Sequence, residues 1–161
     1  MSKRIPLTQG KEAIVSDRDY AYLRQWNWCY GKNSKNSEGY AKRAAPRPRK
    51  ATIKMHKIVA ARMNLTGEID HRNGDKLDNR RCNLRGATGS QNRANRGAQR
   101  NNTSGFKGVC WSNWAEKWVV NIQVKGKQKH VGYFEDKHSA ARAYNRAALK
   151  HYGQFAHLNH V

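Results

Sequence analysis

The sequence predicts an α+β protein built from two small modules in succession. Three observations predict it. Short alternating apolar runs, punctuated by Gly, Asn and Pro, recur along residues 1–54 and again along 106–133, as β-strands require. Two stretches, 53–63 and 137–152, instead carry apolar residues at helical spacing. Between the halves lies QNRANRGAQRNNTS, residues 91–104, which has no large apolar residue and reads as the end of a helix followed by a linker.

In the first half, Ile5 and Leu7 alternate, as do Ala13 and Val15, with Gln9-Gly10 as the turn between two strands. Asp17 is placed to cap a short helix through residues 19–23. Trp26, Trp28 and Tyr30 alternate as strand residues do. A polar loop follows over 31–39, and residues 40–44 form another strand. Pro46 and Pro48 interrupt the basic stretch beyond it. Residues 53–63 then form a helix, with Met55, Ile58, Val59 and Arg62 on one stripe.

Residues 68–85, EIDHRNGDKLDNRRCNLR, are the densest polar cluster. Asn73-Gly74 marks a tight turn, because both residues tolerate positive φ. Residues 84–88 are strand-like, and Ser90 is placed to cap a helix that begins at Gln91.

The second half holds three strands, over 106–111, 117–125 and 128–133, with Lys125-Gly126 as the hairpin turn between the last two. In the middle strand Trp118, Val120, Ile122 and Val124 share one face; Val119, Asn121 and Gln123 share the other. A helix follows over 137–152, with Asp136 as N-cap and Gly153 just past its end. Ala140, Ala143, Tyr144 and Ala147 form a stripe of mostly small residues that lets this helix lie close to the sheet.

Charge narrows the function. The chain has 161 residues, 32 Lys+Arg against 11 Asp+Glu, and a formal net charge of +21. Such a chain attracts polyanions, with nucleic acid the first candidate and a membrane surface the rival. The basic residues are spread along the sequence, 13 in residues 1–55, 10 in 56–100 and 9 in 101–161, so several surfaces meet the polyanion. No apolar run approaches the roughly 20 residues of a spanning helix. The amino-terminal residues lack a secretory pattern. Three widely separated cysteines, Cys29, Cys82 and Cys110, offer neither a disulfide framework nor a CxxC pair for zinc. The expectation is a reduced, intracellular protein. Five Trp, seven Tyr and three Phe supply enough bulk for a core.

Within the polar cluster, Asp70-His71, the NGDKLDNR turn, Asn83-Leu84-Arg85 and Asn92 occur in order, preceded by Met55-His56-Lys57-Ile58-Val59. This series, spanning residues 5–97, resembles the HNH nuclease motif of phage and intron homing endonucleases. The resemblance implies a ββα-metal finger that clasps one divalent cation. It implies His71 as the base that takes a proton from water, and Asp70 and Asn92 as two oxygen ligands. Asn83 would hold the hairpin shut and orient His71. Two protein ligands leave positions for phosphate and water, which suits Mg²⁺, with Mn²⁺ as substitute; no zinc site is expected. Arg72, Arg93 and Arg96 are assigned to DNA. His56, on a helix, reads more simply as packed against the finger than as a phosphate or metal contact. Asp75 and Asp78 read as turn and capping residues. Taken singly, each of these residues is also an ordinary turn former or surface histidine.

Further on, FKGV at 106–109, the Lys117-Trp118 strand, VGYF at 131–134 and AARAYNRAALKHYG at 140–153 resemble the APETALA2-type DNA-binding domain of plant transcription factors and some phage homing endonucleases. The resemblance implies a three-stranded antiparallel sheet plus one helix, with the exposed sheet face in the major groove. Carried over by position, the contacts are Lys107, Trp114, Asn121, Gln123, Gln128 and His130. Cys110, Gln123 and Gln128 stand where that family commonly has Arg, although Asn and Gln pair bidentately with adenine. An extra residue near Ala115-Glu116 blurs the register around Trp114, which either packs at the edge or meets DNA. Trp118, Phe134 and Tyr144 read as core.

The expected layout is a nuclease domain over 1–97, with a β-rich part at 1–54 and the helix and finger at 55–97. A linker over 98–104 and a reader domain over 105–161 complete it. The expected activity is phosphodiester hydrolysis in duplex DNA, one strand per finger and therefore a nick by a monomer. A double-strand break would need a dimer or a second event. Neither a membrane nor a small-molecule substrate is expected, and the phage likeness implies the cytoplasm of a bacterial host. A different reading is a non-catalytic, sequence-preferring DNA-binding protein or repressor with a decayed finger. Charge alone serves both readings; the usable residues at all four finger positions favour the enzyme.

Overall fold

A computed structural model describes residues 1–32, 38–48 and 51–161. The expected polar loop over 31–39 therefore falls largely outside the described residues. The chain divides into two units, Met1–Ala87 and Thr88–Val161, a mixed α/β arrangement of small antiparallel sheets and short helices.

In the first unit, β1 (Ser2–Pro6) pairs antiparallel with β2 (Glu12–Ser16), with Ile5 opposite Ala13. The turn between them has Gln9 at φ 64° and Gly10 at φ 62°, left-handed geometry that glycine adopts freely. Helix α1 (Asp17–Leu23) follows without a break. Its N-cap position is Ser16, not Asp17: Ser16 keeps the extended backbone of β2, so Asp17 falls in the first helical turn. Trp26 and Trp28 precede the next strand instead of belonging to it, since β3 starts at Cys29 (Cys29–Lys32). Trp28 is buried, and its indole N–H donates to the Leu23 carbonyl at 2.9 Å, closing the end of α1. β4 (Gly39–Ala44) and β5 (Thr52–Lys54) complete a sheet in the order β3-β4-β5. Residues 53 and 54, read above as helical, lie in β5, because pairing of Ile53 with Arg43 overrides the helical periodicity. Helix α2 is Met55–Ala61. β6 (Glu68–His71) and β7 (Leu84–Ala87) form a separate hairpin. The core gathers Ile5, Leu7, Ala13, Val15, Leu23, Trp28, Ala41, Met55, Val59 and Leu84. Each large apolar side chain buried there contributes about 1.5–3 kcal/mol.

A polar tie supplements this core. Asp19 of α1 is fully buried and accepts from Arg62 at 2.9 Å and from Arg81 at 2.7 and 2.8 Å. It thereby fastens α1 to the end of α2 and to the loop after β6. Burial pushes the Asp19 carboxyl up, but hydrogen bonds from Arg81 and then Arg62 hold it below the usual carboxylate range.

The second unit starts with α3 (Gly89–Ala94). Its cap is Thr88, two residues before the expected Ser90. Thr88 and Gln91 form a reciprocal capping box that satisfies two otherwise orphaned N–H groups. The sheet has order β10-β9-β8, from β8 (Val109–Ser112), β9 (Lys117–Val124) and β10 (Lys127–Phe134). Residues 106–108, read as strand, lie outside β8. Gly108 has φ 74°, and a Cβ there would come within 2.2 Å of the Tyr144 ring, so this close approach admits only glycine. Lys125 and Gly126, at φ 51° and 81°, make the tight β9–β10 turn. A bulge at Val131 follows the His130–Asn121 pair. Helix α4 (Lys137–Tyr152) is capped by Asp136, which accepts from the Ser139 N–H at 2.6 Å and is held at about 2 by that hydrogen bond. Ala140, Ala141 and Tyr144 of α4 pack on Val109, Val120 and Ile122. No helix among the described residues is long and apolar enough to cross a membrane.

Replacing Asp19 by Ala is expected to lower the unfolding free energy by about 3 kcal/mol at neutral pH. Because the folded carboxyl lies below its unfolded value of about 3.9, the contribution is complete above that pH and fades as pH falls through the folded value. Urea melts of wild type and D19A should therefore draw together as pH falls below about 4; a gap that does not narrow in acid contradicts the tie.

Candidate active site and nucleic-acid interface

Register sets the site. In the β6–β7 hairpin His71 lies opposite Leu84, and Asp70 lies opposite Arg85. Strand alternation turns His71 toward the core side with Leu84, and Asp70 with Arg85 toward the other. Asp70 is 1% exposed and Arg85 7%. Arg85 donates to Oδ2 of Asp70 from Nε at 2.8 Å and from Nη2 at 2.7 Å.

The loop between the two strands is knitted by its own side chains. Asn83 accepts from the Asn73 N–H at 3.0 Å and donates to the Asp78 carbonyl at 2.8 Å, and its own carbonyl accepts from the Arg72 N–H at 2.9 Å. Asn83 thus closes the loop from inside. Gly74 takes φ 80° at the turn. Asp75 accepts from the Leu77 N–H at 2.8 Å, and Asp78, buried, accepts from Asn73 and Arg80. Burial pushes the Asp78 carboxyl up, and the Arg80 hydrogen bonds bring it below the ordinary range. Backbone bonds between Ile14 and residues 77 and 79 dock the loop on β2.

His71 is 1% exposed. Its Nε2 lies 3.4 Å from Oδ1 of Asn79, whose amide nitrogen donates to the Leu77 carbonyl at 3.2 Å. An amide oxygen only accepts, so this contact puts the imidazole proton on Nε2 and the lone pair on Nδ1. Asn79 is the residue sequence reasoning missed. It sits among Asp and Asn of a turn-rich run, and only its burial marks it. The His56 ring stands edge-on to His71 at 5.1 Å, and Tyr40 lies 5.2 Å from His56. Burial pushes His71 down to about 4, and it pushes His56, beside His71, down to about 3. Both rings are neutral near pH 7.

Among the described residues no group of three or more His, Cys, Asp or Glu is placed to hold a metal ion. The donors implied by the resemblance are one carboxylate and one amide. Asp70 already faces a cation, the Arg85 guanidinium, and carboxylate and amide oxygens are the donors Mg²⁺ takes. Asn92 is half-buried on α3, in the second unit. Arg72, Arg93 and Arg96 are exposed.

In the second unit four of the expected contacts come together. Asn121 lies opposite His130, and Gln123 lies opposite Gln128, forming one polar block on the face away from Val120 and Ile122. Trp114, between β8 and β9, is 89% exposed and is not core. Lys107 stands apart from this block. Its ammonium donates to the Ala94 and Arg96 carbonyls at 2.5 Å each, closing the carboxy-terminal end of α3. Burial, with Arg96 nearby, pushes it down to about 8.

Residues 66–94 match the HNH endonuclease family, and that stretch contains Asp70, His71, Asn83 and Asn92. That stretch is therefore HNH endonuclease-like, and the carboxy-terminal region is similar to AP2-like proteins. The chain is 35% identical over 88 residues to Protein 3.8 of Escherichia phage T7, a match that covers 55% of this chain and 72% of that protein. It belongs to the family of that phage protein. It is also 40% identical over 62 residues to the AP2-like ethylene-responsive transcription factor TOE2 of Arabidopsis thaliana. With Dehydration-responsive element-binding protein 2D of Arabidopsis thaliana it shares 39% over 66 residues. These two matches cover 38% and 40% of this chain but only 13% and 32% of the plant proteins. No solved structure matches the chain.

The neutral rings generate a stability test. In the unfolded chain both histidines charge below about pH 6.5, whereas the folded rings resist protonation until about 4 and 3. Their contribution is therefore complete above the unfolded value and is lost as pH falls through the window below it. Each adds up to about 1.4 kcal/mol per pH unit to the slope there. Urea unfolding between about pH 5 and 6 should show a slope that His56→Phe reduces by about half. An unchanged slope means that His56 titrates as an exposed histidine does.

Proposed function

We propose that the protein is a homing-type DNA endonuclease that nicks duplex DNA with one divalent ion and reads its site with the carboxy-terminal sheet. The observation that carries this reading is the Asp70-His71 pair. Consecutive residues of one strand hold, on opposite faces, a buried carboxylate and a neutral imidazole whose proton is fixed by Asn79. The match to HNH endonucleases over 66–94 supports it.

In this mechanism the Nδ1 lone pair of His71 takes the proton from the attacking water. Asp70 and Asn92 would hold the cation, Mg²⁺ by donor type. When bound, the ion supplies charge relief at the scissile phosphate and at the departing 3′ oxygen. Asn83 holds the loop closed and so keeps Asn79 in place against His71. Arg72, Arg93 and Arg96 meet backbone phosphates.

The plant relatives are named as transcription factors and as an element-binding protein, which supports a DNA-reading role for residues 105–161. The reading residues are Asn121, Gln123, Gln128 and His130, with Trp114 at the edge. The Lys107 ammonium faces the Ala94 and Arg96 carbonyls, so base reading falls to the other five expected contacts. Residues 1–97 form the cutting part and 98–104 the linker. The protein acts as a monomer in the cytoplasm of the host cell.

Supercoiled plasmid carrying phage DNA should relax to nicked circles with wild type and Mg²⁺, and chelation should stop it. His71→Ala should slow relaxation by at least about 10²-fold while leaving binding intact. If H71A cuts at the wild-type rate, the assignment fails. If neither protein cuts on any target and metal changes nothing, the non-catalytic reading takes its place. Binding should weaken steeply with salt, log K falling by about 0.9 per phosphate neutralised for each unit of log salt. Gln123→Ala and Gln128→Ala should relax sequence preference more than they change that slope.

A further inference from the structure

We propose that Arg85 is a resident counter-cation for Asp70, which the divalent ion has to displace or share, and that Arg85 thereby sets the metal affinity of the DNA-free protein. The inference rests on the nuclease reading above, in which Asp70 holds the cation, and it adds a positioning residue which that reading does not use.

Four observations carry it. Asp70 is 1% exposed, and a carboxylate this deep is costly unless it is paired. The partner is built in by register, since Arg85 is the cross-strand neighbour of Asp70. Two guanidinium contacts, Nε at 2.8 Å and Nη2 at 2.7 Å, fall on carboxylate oxygen Oδ2. Arg85 is itself only 7% exposed, so its charge is poorly screened by water and cannot swing freely into solvent.

The consequence is electrostatic. A divalent ion at Asp70 comes within a few ångströms of the guanidinium, and the local charge becomes −1, +1 and +2. The excess of +2 disfavours the ion until a phosphate arrives to share it. Arg85 therefore keeps the empty carboxylate in place and makes metal binding wait for the phosphodiester. Arginine suits the task because its planar fork holds one carboxylate in a single geometry, which the point charge of lysine does not.

The test measures Mn²⁺ binding to the full-length, DNA-free protein by calorimetry and by electron paramagnetic resonance of the free ion. Thermal melts with and without Mn²⁺ accompany it. Arg85→Met removes the charge and keeps the bulk. It should bind Mn²⁺ about tenfold more tightly than wild type, the effect of removing one like charge a few ångströms from the ion. It should also melt lower than wild type without metal and gain more from Mn²⁺. A purely structural role predicts the reverse, a disordered Asp70 and weaker binding. Equal or weaker affinity in R85M overturns the proposal.

Arg85→Lys keeps the charge and should stay within about twofold of wild type; a gain as large as that of R85M overturns it. If R85M does not fold without metal, saturating Mn²⁺ must restore its circular dichroism, and failure to do so also overturns it. Asp70→Asn separates this inference from its premise. If D70N binds Mn²⁺ as wild type does, the ligand assignment and the nuclease reading fall. If D70N is silent and R85M unchanged, only the role of Arg85 falls.

Discussion

A buried carboxylate facing arginine recurs three times in the first unit. Asp19, Asp70 and Asp78 are each 1% exposed or less, and each meets guanidinium groups, from Arg62 and Arg81, from Arg85 and from Arg80 respectively. A chain with 32 basic and 11 acidic residues cannot pair most of its cations. Three of its acidic residues are placed where a lone charge costs most, in the interior of the first unit. The consequences run outward from there. Asp19 ties α1 to the end of α2 and to the loop after β6. Asp78 and Asn83 close that loop, and the closed loop sets Asn79 against His71. Elements as short as the seven-residue α1 and α2 would not hold these positions by apolar contact alone.

Such ties are hard to read from sequence, whereas periodic burial is easy. The middle strand of the second unit was legible because Trp118, Val120, Ile122 and Val124 alternate with Val119, Asn121 and Gln123, an apolar face against a mostly polar one. Helix α4 was legible because an N-cap, an alanine stripe and a terminal glycine agree. Asp19 reads as an ordinary polar residue of a short helix, since its partners lie 43 and 62 residues away. The run from Asp75 to Asn83 offers several equivalent Asp and Asn residues, and only the folded loop separates Asn79, at the imidazole, from Asn83, at the backbone. Ile53 and Lys54 misled for a related reason. The helical stripe begins only at Met55, and the ladder with β4 extends the two residues before it.

Where the second unit places its cations follows the same economy of charge. Lys107 is followed by Gly108, where only glycine fits because the Tyr144 ring fills the space a side chain would take. Its backbone is held by Asn159, which both donates to it and accepts from it. With the main chain fixed, the ammonium is directed at the last carbonyls of α3, where a cation complements the helix dipole. The exposed sheet face is left to Asn121, Gln123, Gln128 and His130. Neutral donors and acceptors there carry base preference, and the general positive field of the chain supplies attraction to the backbone.

The adjacency of Asp70 and His71 has its own physical logic. Along a strand, neighbours in sequence face opposite sides, so two residues joined by one peptide bond occupy different dielectric surroundings. His71 stands among Leu84, His56 and Asn79, where burial keeps its ring uncharged and an amide oxygen fixes the tautomer. Asp70 stands against the Arg85 guanidinium at 2.7 Å. A base must be neutral to accept a proton, and a ligand must be anionic to draw a cation. On a helix, consecutive residues lie about 100° apart and share much of one environment. A strand separates them fully, and a two-stranded hairpin is the smallest element that also supplies the cross-strand partners both residues need.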